Sequence, residues 1–285
     1  MSIMIVGSKG QLGRALATTA PAGAELVCHN HGTLDIVDAA AVDAAVDVAR
    51  PTLIFNAAAY TAVDKAEAEE GRALAVNATG VAHLAQAARR VGARFVHVST
   101  DFVFDGLSGM PYAPDAPTAP LSAYGRTKLA GEQAAGTDAL IVRTSWVYGP
   151  VGGNFVRTMV RLMAERPEVR VVADQIGSPT YAPALAAALW TLADKGAQGI
   201  FHYADSGVCS WYDFAVAIQE EALAAGLLDR QVPVLPIPSS AYPVPARRPH
   251  FSVLDRASTL ALLDTVPPHW RVNLRTMISD IKAHG

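Results

Sequence analysis

Four apolar residues, Ile3–Val6, lead straight into Gly7-Ser8-Lys9-Gly10-Gln11-Leu12-Gly13 and then into a helical run to about Thr19. Few folds need a strand that ends in spaced glycines and opens a helix. Glycine permits a tight turn and lets backbone N–H groups approach a pyrophosphate at the helix N-terminus. The spacing is G-x-x-G-x-x-G rather than G-x-G-x-x-G. Its weight comes from its place at the end of an N-terminal strand, because an ordinary strand–helix turn also accommodates glycines.

The rhythm continues through the first half. Glu25–Cys28, Thr52–Asn56, Arg94–Ser99 and Ala139–Ser145 read as strands. The runs IMIV, LIF and ALIV are continuously apolar, as strands covered on both faces are. Asp38 caps a helix through Val48, one long helix is predicted from about Ala66 to Val91 with Gly92 as its stop, and another spans Ser122–Ala135. Strand–helix alternation implies an α/β fold, a Rossmann-like doubly wound parallel sheet with right-handed crossovers. After about Pro150 the pattern changes, and the expectation is a cofactor domain over 1–149 and a smaller C-terminal α/β substrate-binding domain over 150–285, with some segments returning to the first. Helices are predicted over Asn154–Glu165 and Ala182–Asp194, and Ser210-Trp-Tyr-Asp213 reads as a capping box for a helix through Ala225. The proline-rich stretch between Pro233 and Pro249 is extended, either a surface loop or a loop over a substrate.

Composition narrows the partners. A net charge of −3 offers no basic face for nucleic acid, and no apolar run approaches the roughly 20 residues of a membrane span. Cys28 and Cys209 form no C-x-x-C, which fits a reducing cytoplasm and gives no zinc site. His29 and His31 read as loop, with no metal expected.

An acidic residue about 20 residues beyond the glycine turn would hold a ribose 2′-hydroxyl. Here Asn30 stands after the second strand, and Lys9 and Arg14 could help bind a 2′-phosphate, so NADPH is favoured with NADH as the alternative. Asn56-Ala-Ala-Ala59, at a strand end, leaves room for a flat cofactor or packs under a helix. Ser99-Thr100-Asp101 presents hydroxyls and a carboxylate at another strand end. Tyr124 and Lys128, four apart, share one helix face. A free tyrosine has a pKa of about 10, and a nearby ammonium lowers it. Tyr124 would then give a proton to a carbonyl oxygen that Thr100 also bonds, while hydride reaches the carbon.

Seven segments, GSKGQLG, NAAAYTAVDKAE, VHVSTDFVFDG, YGRTKLAGE, VRTSWVYG, GNFVRTM and DQIGSPT, run in order over Gly7–Thr180. With them the chain resembles the extended short-chain dehydrogenase/reductases and, within these, the dTDP-4-dehydrorhamnose reductase family. The resemblance implies NADPH-dependent reduction of a dTDP-4-keto sugar by a monomer or homodimer. It implies that Gly10, Gln11 and Leu12 hold the pyrophosphate, that Asp35 and Ile36 sit by the adenine, and that Ala59, Tyr60 and Thr61 line the cofactor. Tyr124 and Lys128 would be catalytic, with Thr100 tuning the tyrosine. Thr100, Asp101 and Trp146 would contact the sugar, and Arg248, with Arg247, the nucleotide diphosphate. Trp146 also reads as a core tryptophan, and Asn154 and Phe155 either as substrate contacts or as the cap and first turn of a helix.

Two departures stand out. Gly13-Arg14-Ala15 lacks the glutamate with which some members build a magnesium-linked dimer, so no metal is expected. Phe251 stands where asparagine is usual, which removes a polar contact. NDP-sugar epimerases and dehydratases share the scaffold, as does the regulatory subunit of methionine adenosyltransferase. The intact Thr100, Tyr124 and Lys128 set counts against the last.

Overall fold

The apolar runs assemble into one parallel sheet. The computed structural model describes residues 2–263 and 265–284. In chain order the first half contains β1 (Ser2–Val6), α1 (Gln11–Thr18), β2 (Glu25–His29), α2 (Ala39–Ala49), β3 (Leu53–Asn56), α3 (Val63–Ala66), α4 (Glu70–Leu74), α5 (Gly80–Val91), β4 (Arg94–Thr100), α6 (Ala123–Ala135) and β5 (Leu140–Thr144). The second half contains β6 (Val147–Tyr148), α7 (Phe155–Glu165), β7 (Val169–Val172), β8 (Ile176–Gly177), β9 (Thr180–Tyr181), α8 (Ala182–Asp194), β10 (Gly199–His202), β11 (Cys209–Ser210), α9 (Trp211–Ala225), β12 (Val234–Ile237), α10 (Ala257–Leu260) and α11 (Trp270–His284).

The six-stranded sheet has the order β10-β5-β4-β3-β1-β2, with every pairing parallel. Successive residues of a strand point to opposite faces, which is why β1 is apolar throughout. Ile3 and Ile5 pack with α1 and α8, whereas Met4 and Val6 pack with α2 and α5. The chain turns from one side of β1 to the other between β2 and β3, so the crevice beyond β1 and β3 is a topological switch point.

The sheet is not built from the first half alone. Beyond residue 150, α8 lays Leu185, Leu189 and Trp190 on the same core as α1, and β10 extends the sheet beside β5. A separate core gathers Val156, Met159 and Met163 of α7, Phe214 and Ile218 of α9, and Leu274 and Met277 of α11. The proline-rich stretch begins as β12, which pairs in parallel with β7.

Helix ends follow local chemistry. Asp38 accepts from the Ala41 amide, Ser210 and Asp213 form the expected capping box, and Gly92 takes φ 70°. The long helix expected over 66–91 holds from Glu70 to Val91, and only its start differs, because a short break at 67–69 separates α3 from α4. Beyond that break α4, one π-turn at Ala75–Thr79 and α5 follow without interruption. Asn77 is fully buried in the π-turn. Its Oδ1 accepts from the Tyr60 amide, and its Nδ2 donates to the Tyr60 carbonyl and to Thr127 Oγ1. These bonds reach across to other segments, where sequence periodicity has no say.

Candidate active site

The glycine turn closes at the switch point. Gly7 has φ +84°, and a Cβ there would lie 2.6 Å from the Ala57 carbonyl carbon, so β1 and β3 end against one another. A Cβ on Gly13 would lie 2.2 Å from the Gly7 carbonyl oxygen, which lets α1 start hard against the turn. Gly10 caps α1 without a side-chain hydrogen bond. The first N–H groups of a helix have no intrahelical acceptor, so Gln11, Leu12 and Gly13 present a cradle suited to an anion.

Around this cradle, Asn30 is half-buried, and its side chain accepts from the Gly32 amide. Arg14 and Lys9 are exposed on the turn, linked by Arg14 Nε donating to the Lys9 carbonyl. Asp35 is exposed, while Ile36 is buried under Gly80. Ala59 and Tyr60 are half-buried, and Thr61 is exposed. The Tyr60 hydroxyl donates to Glu69.

The second part of the site forms where α6 meets the end of β4. Ser122 caps α6 by accepting from the Gly125 amide. Two glycines bring the helix close: a Cβ on Gly125 would lie 2.3 Å from the Phe102 carbonyl oxygen, and one on Gly131 would lie 2.0 Å from that of Asn77. Tyr124 is thereby set against Thr100 and Asp101, with its ring centroid 5.5 Å from that of Phe102. The Thr100 hydroxyl donates to Asp101 Oδ1 at 3.0 Å, while Asp101 Oδ2 has no hydrogen-bond partner among the described residues.

Electrostatics correct one expectation. Burial pushes the Tyr124 phenol up to about 12; the Thr100 hydroxyl opposes this and the Asp101 charge adds to it. Lys128 is itself buried, and desolvation lowers its ammonium to about 8 against the pull of Glu132. Its Nζ donates to the Val98 carbonyl at 2.7 Å and lies 3.4 Å from His97 Nε2. The helix face is shared as expected, but the Lys128 cation is not among the causes that set the Tyr124 phenol, and burial holds it neutral, the form that can donate a proton. Asp101 is raised to about 6, chiefly by burial, with Ser252 and Thr100 opposing.

A cavity of about 1070 Å³ opens beside this corner, lined among others by Phe102, Trp146, Phe155, Trp211, Arg247 and Ser252. Trp146 adopts φ 48° and stacks on Trp211 with centroids 3.6 Å apart, and Phe155 meets Trp211 at 4.6 Å. Such an aromatic wall suits an apolar sugar face. Asn154 does not line the cavity; it caps α7 and donates to Gln11 Oε1, tying the glycine turn to that helix. Arg248 does line it, yet its guanidinium grips both oxygens of Asp64 at 3.0 and 2.8 Å. Arg247 is exposed at the same strap.

The family described as the RmlD substrate binding domain matches residues 1–283. The dTDP-4-dehydrorhamnose reductase of Escherichia coli K12 is 42% identical over 293 residues, covering 99% of this chain and 98% of that protein. That of Mycobacterium tuberculosis H37Rv is 45% identical over 288 residues, covering 97% and 92%. The chain belongs to the dTDP-4-dehydrorhamnose reductase family. The solved dTDP-4-dehydrorhamnose reductase of Bacillus anthracis, in complex with NADP, is similar with a TM-score of 0.93 at 36% identity, over 98% of this chain and 99% of that one.

Within this member of the reductase family, sequence reasoning passed over Trp211, Ser252 and His97 as site residues. Trp211 was visible as the first helical residue after a capping serine, but its stack on Trp146 spans the gap between two distant segments. His97 sits inside the VHVSTD segment, where strand alternation alone does not reveal that its ring meets Lys128.

Proposed function

We propose that this protein reduces the 4-keto group of dTDP-6-deoxy-L-lyxo-4-hexulose to give dTDP-L-rhamnose, using NADPH, with NADH as a second donor. Membership of the reductase family carries the substrate. The observation that carries the chemistry is the convergence of Thr100, Asp101 and Tyr124 at the end of β4, with Phe102 and Ser252 beside them lining the cavity.

The residues present fit a dinucleotide: Gly7 and Gly13 let β1, β3 and the start of α1 close into a tight turn, and the first amides of α1 have no side-chain cap. When bound, the nicotinamide supplies a hydride. Tyr124, kept protonated by burial, donates its phenolic proton to the 4-keto oxygen. Thr100 hydrogen-bonds that oxygen and holds the phenol. Lys128 anchors the nicotinamide ribose, and Asn30 leaves the 2′ position free of negative charge. Trp146 packs on the deoxysugar with Phe155 beside it, and Asp101 accepts from a sugar hydroxyl. Every residue named belongs to one chain, so a monomer or a homodimer would serve, and the cytoplasm supplies both reactants.

The test is NADPH consumption with the dTDP-4-keto sugar, run beside other 4-keto sugar nucleotides and NADH. Formation of dTDP-L-rhamnose is expected. A protein that purifies with stoichiometric NAD and consumes no NADPH would reject the reading and favour an epimerase or dehydratase.

A further inference from the structure

Behind Lys128 lies a buried chain of three polar side chains whose hydrogen-bond directions can be worked out. Asn56, at the end of β3, and His97, on β4, are 1% and 0% exposed. Asn56 Oδ1 accepts from the Ala58 amide at 3.1 Å. That bond fixes the amide, so the atom facing His97 Nδ1 at 3.2 Å is Nδ2, a donor. His97 Nδ1 must then accept and carries no proton. Full burial, with the Lys128 charge beside it, keeps the ring neutral. A neutral imidazole bare at Nδ1 is protonated at Nε2, and Nε2 is the atom 3.4 Å from Lys128 Nζ.

The consequence falls on Lys128. An Nε2–H cannot accept from an ammonium; it can donate only to a neutral amine. We infer that His97, fixed as its Nε2–H tautomer by Asn56, is a positioning residue that disfavours the ammonium form of Lys128 and directs that form's unshared protons away from β4. One Nζ proton goes to the Val98 carbonyl. The others have no acceptor among the hydrogen bonds of the described residues, so a hydroxyl entering the cleft would supply one. Lys128 is thus drawn toward the amine until the cleft offers an acceptor.

The other charged or titratable groups near Lys128 do not supply this directionality. Glu132, one turn further along α6, favours the ammonium, but both its oxygens are held by Arg143 of β5 and one also by Ser99. Tyr124, one turn back, is a neutral phenol, and Asp101 acts on Tyr124. His97 is the neighbour whose proton faces Nζ.

The inference rests on the proposed reductase reading for its functional meaning, but its test needs neither substrate nor cofactor. Two-bond ¹H–¹⁵N spectra of the wild-type protein, which has 8 histidines, report each ring's tautomer. His97, assigned by its loss in a His97→Phe variant or by its failure to titrate, should show a bare Nδ1 and a protonated Nε2 from pH 6 to 9. An Nδ1–H tautomer or an imidazolium would overturn the inference. The second measurement follows Lys128 by ¹³Cε-lysine titration. Asn56→Asp offers His97 Nδ1 an acceptor, flips the tautomer and turns Nε2 toward Nζ as an acceptor. The Lys128 midpoint should rise by about one pH unit or more, and the alkaline limb of kcat should rise with it. The added carboxylate acts through space as well, so the same change is made in the His97→Phe background, where no ring nitrogen relays it. A clearly smaller shift there supports the inference; an equal shift, or none in either background, overturns it. Failure to reduce the dTDP-sugar would instead bear on the proposed function and leave the tautomer result standing.

Discussion

Gly125 and the Phe102 carbonyl oxygen are in such close approach that a Cβ on the glycine would lie 2.3 Å from that oxygen. The contact presses the first turn of α6 onto the end of β4, and it is what sets Tyr124 beside Thr100. Gly125→Ala should therefore do two things. It should destabilise the protein by about 1–3 kcal/mol, the usual cost of overpacking, and it should lower kcat by moving the phenol. Urea denaturation and steady-state kinetics on the same sample check both; unchanged kcat would mean that the helix can shift without disturbing the site.

Tyr124→Phe removes the proposed proton donor and little else, since the ring still packs on Phe102. General acid catalysis contributes about 10²–10⁴-fold, and kcat should fall within that range. Binding of NADPH, followed by fluorescence, should stay within a few-fold of wild type. Full turnover by the variant would remove Tyr124 from the mechanism.

Asp101 carries a stability signature with a definite sign. Its folded pKa, about 6, lies above the ordinary carboxylate value, so between about pH 4 and 6 the native state binds more protons than the unfolded chain. Stability then falls as pH rises through that window, and the penalty persists above it. Asp101→Asn should stabilise the protein at pH 8 by roughly 1–3 kcal/mol, and the gain should shrink toward pH 4. Activity should fall, because the proposed acceptor of a sugar hydroxyl is lost. Denaturation at pH 4.5 and pH 8 distinguishes this from a uniform effect of the amide.

The Asp64–Arg248 pair joins α3 to the proline-rich strap that lines the cavity, and Asp64 also accepts from the Ala246 amide. The guanidinium holds the Asp64 carboxyl below its usual range. The pair is partly solvent-exposed, so its contribution to global stability should be under about 1 kcal/mol. Its work is local. Asp64→Asn should release the strap and raise KM for the sugar nucleotide several-fold while Tm changes little. A fall in Tm without a change in KM would assign the pair to the scaffold.

Much of this organisation was readable before any coordinates. The strand–glycine–helix unit, the doubly wound sheet and the caps at Asp38, Ser210 and Gly92 follow from backbone permissions and side-chain periods. Tyr124 and Lys128 share a face because the helical period makes them do so. The long helix is legible over 70–91, but the π-turn inside it is not, because the apolar and alanine pattern runs straight through the turn in which Asn77 bonds to Tyr60 and Thr127. That some later segments return to the first domain was expected, but that β10 does so by pairing with β5 was hidden, since a short strand carries no label naming its partner.

The linear chain thus determined what each segment is: local φ/ψ preferences and the periods of 3.6 and 2 act between near neighbours, and they fixed the cradle and the paired tyrosine and lysine. Tertiary structure decided what surrounds them. Lys128 meets Val98 and His97, Trp146 meets Trp211, and Arg248 meets Asp64 only after the sheet and its helices have packed. Burial, which holds Tyr124 protonated and weakens the Lys128 ammonium, is a property of that packing. Desolvation depends on every atom that displaces water, and those atoms come from segments far apart in the chain.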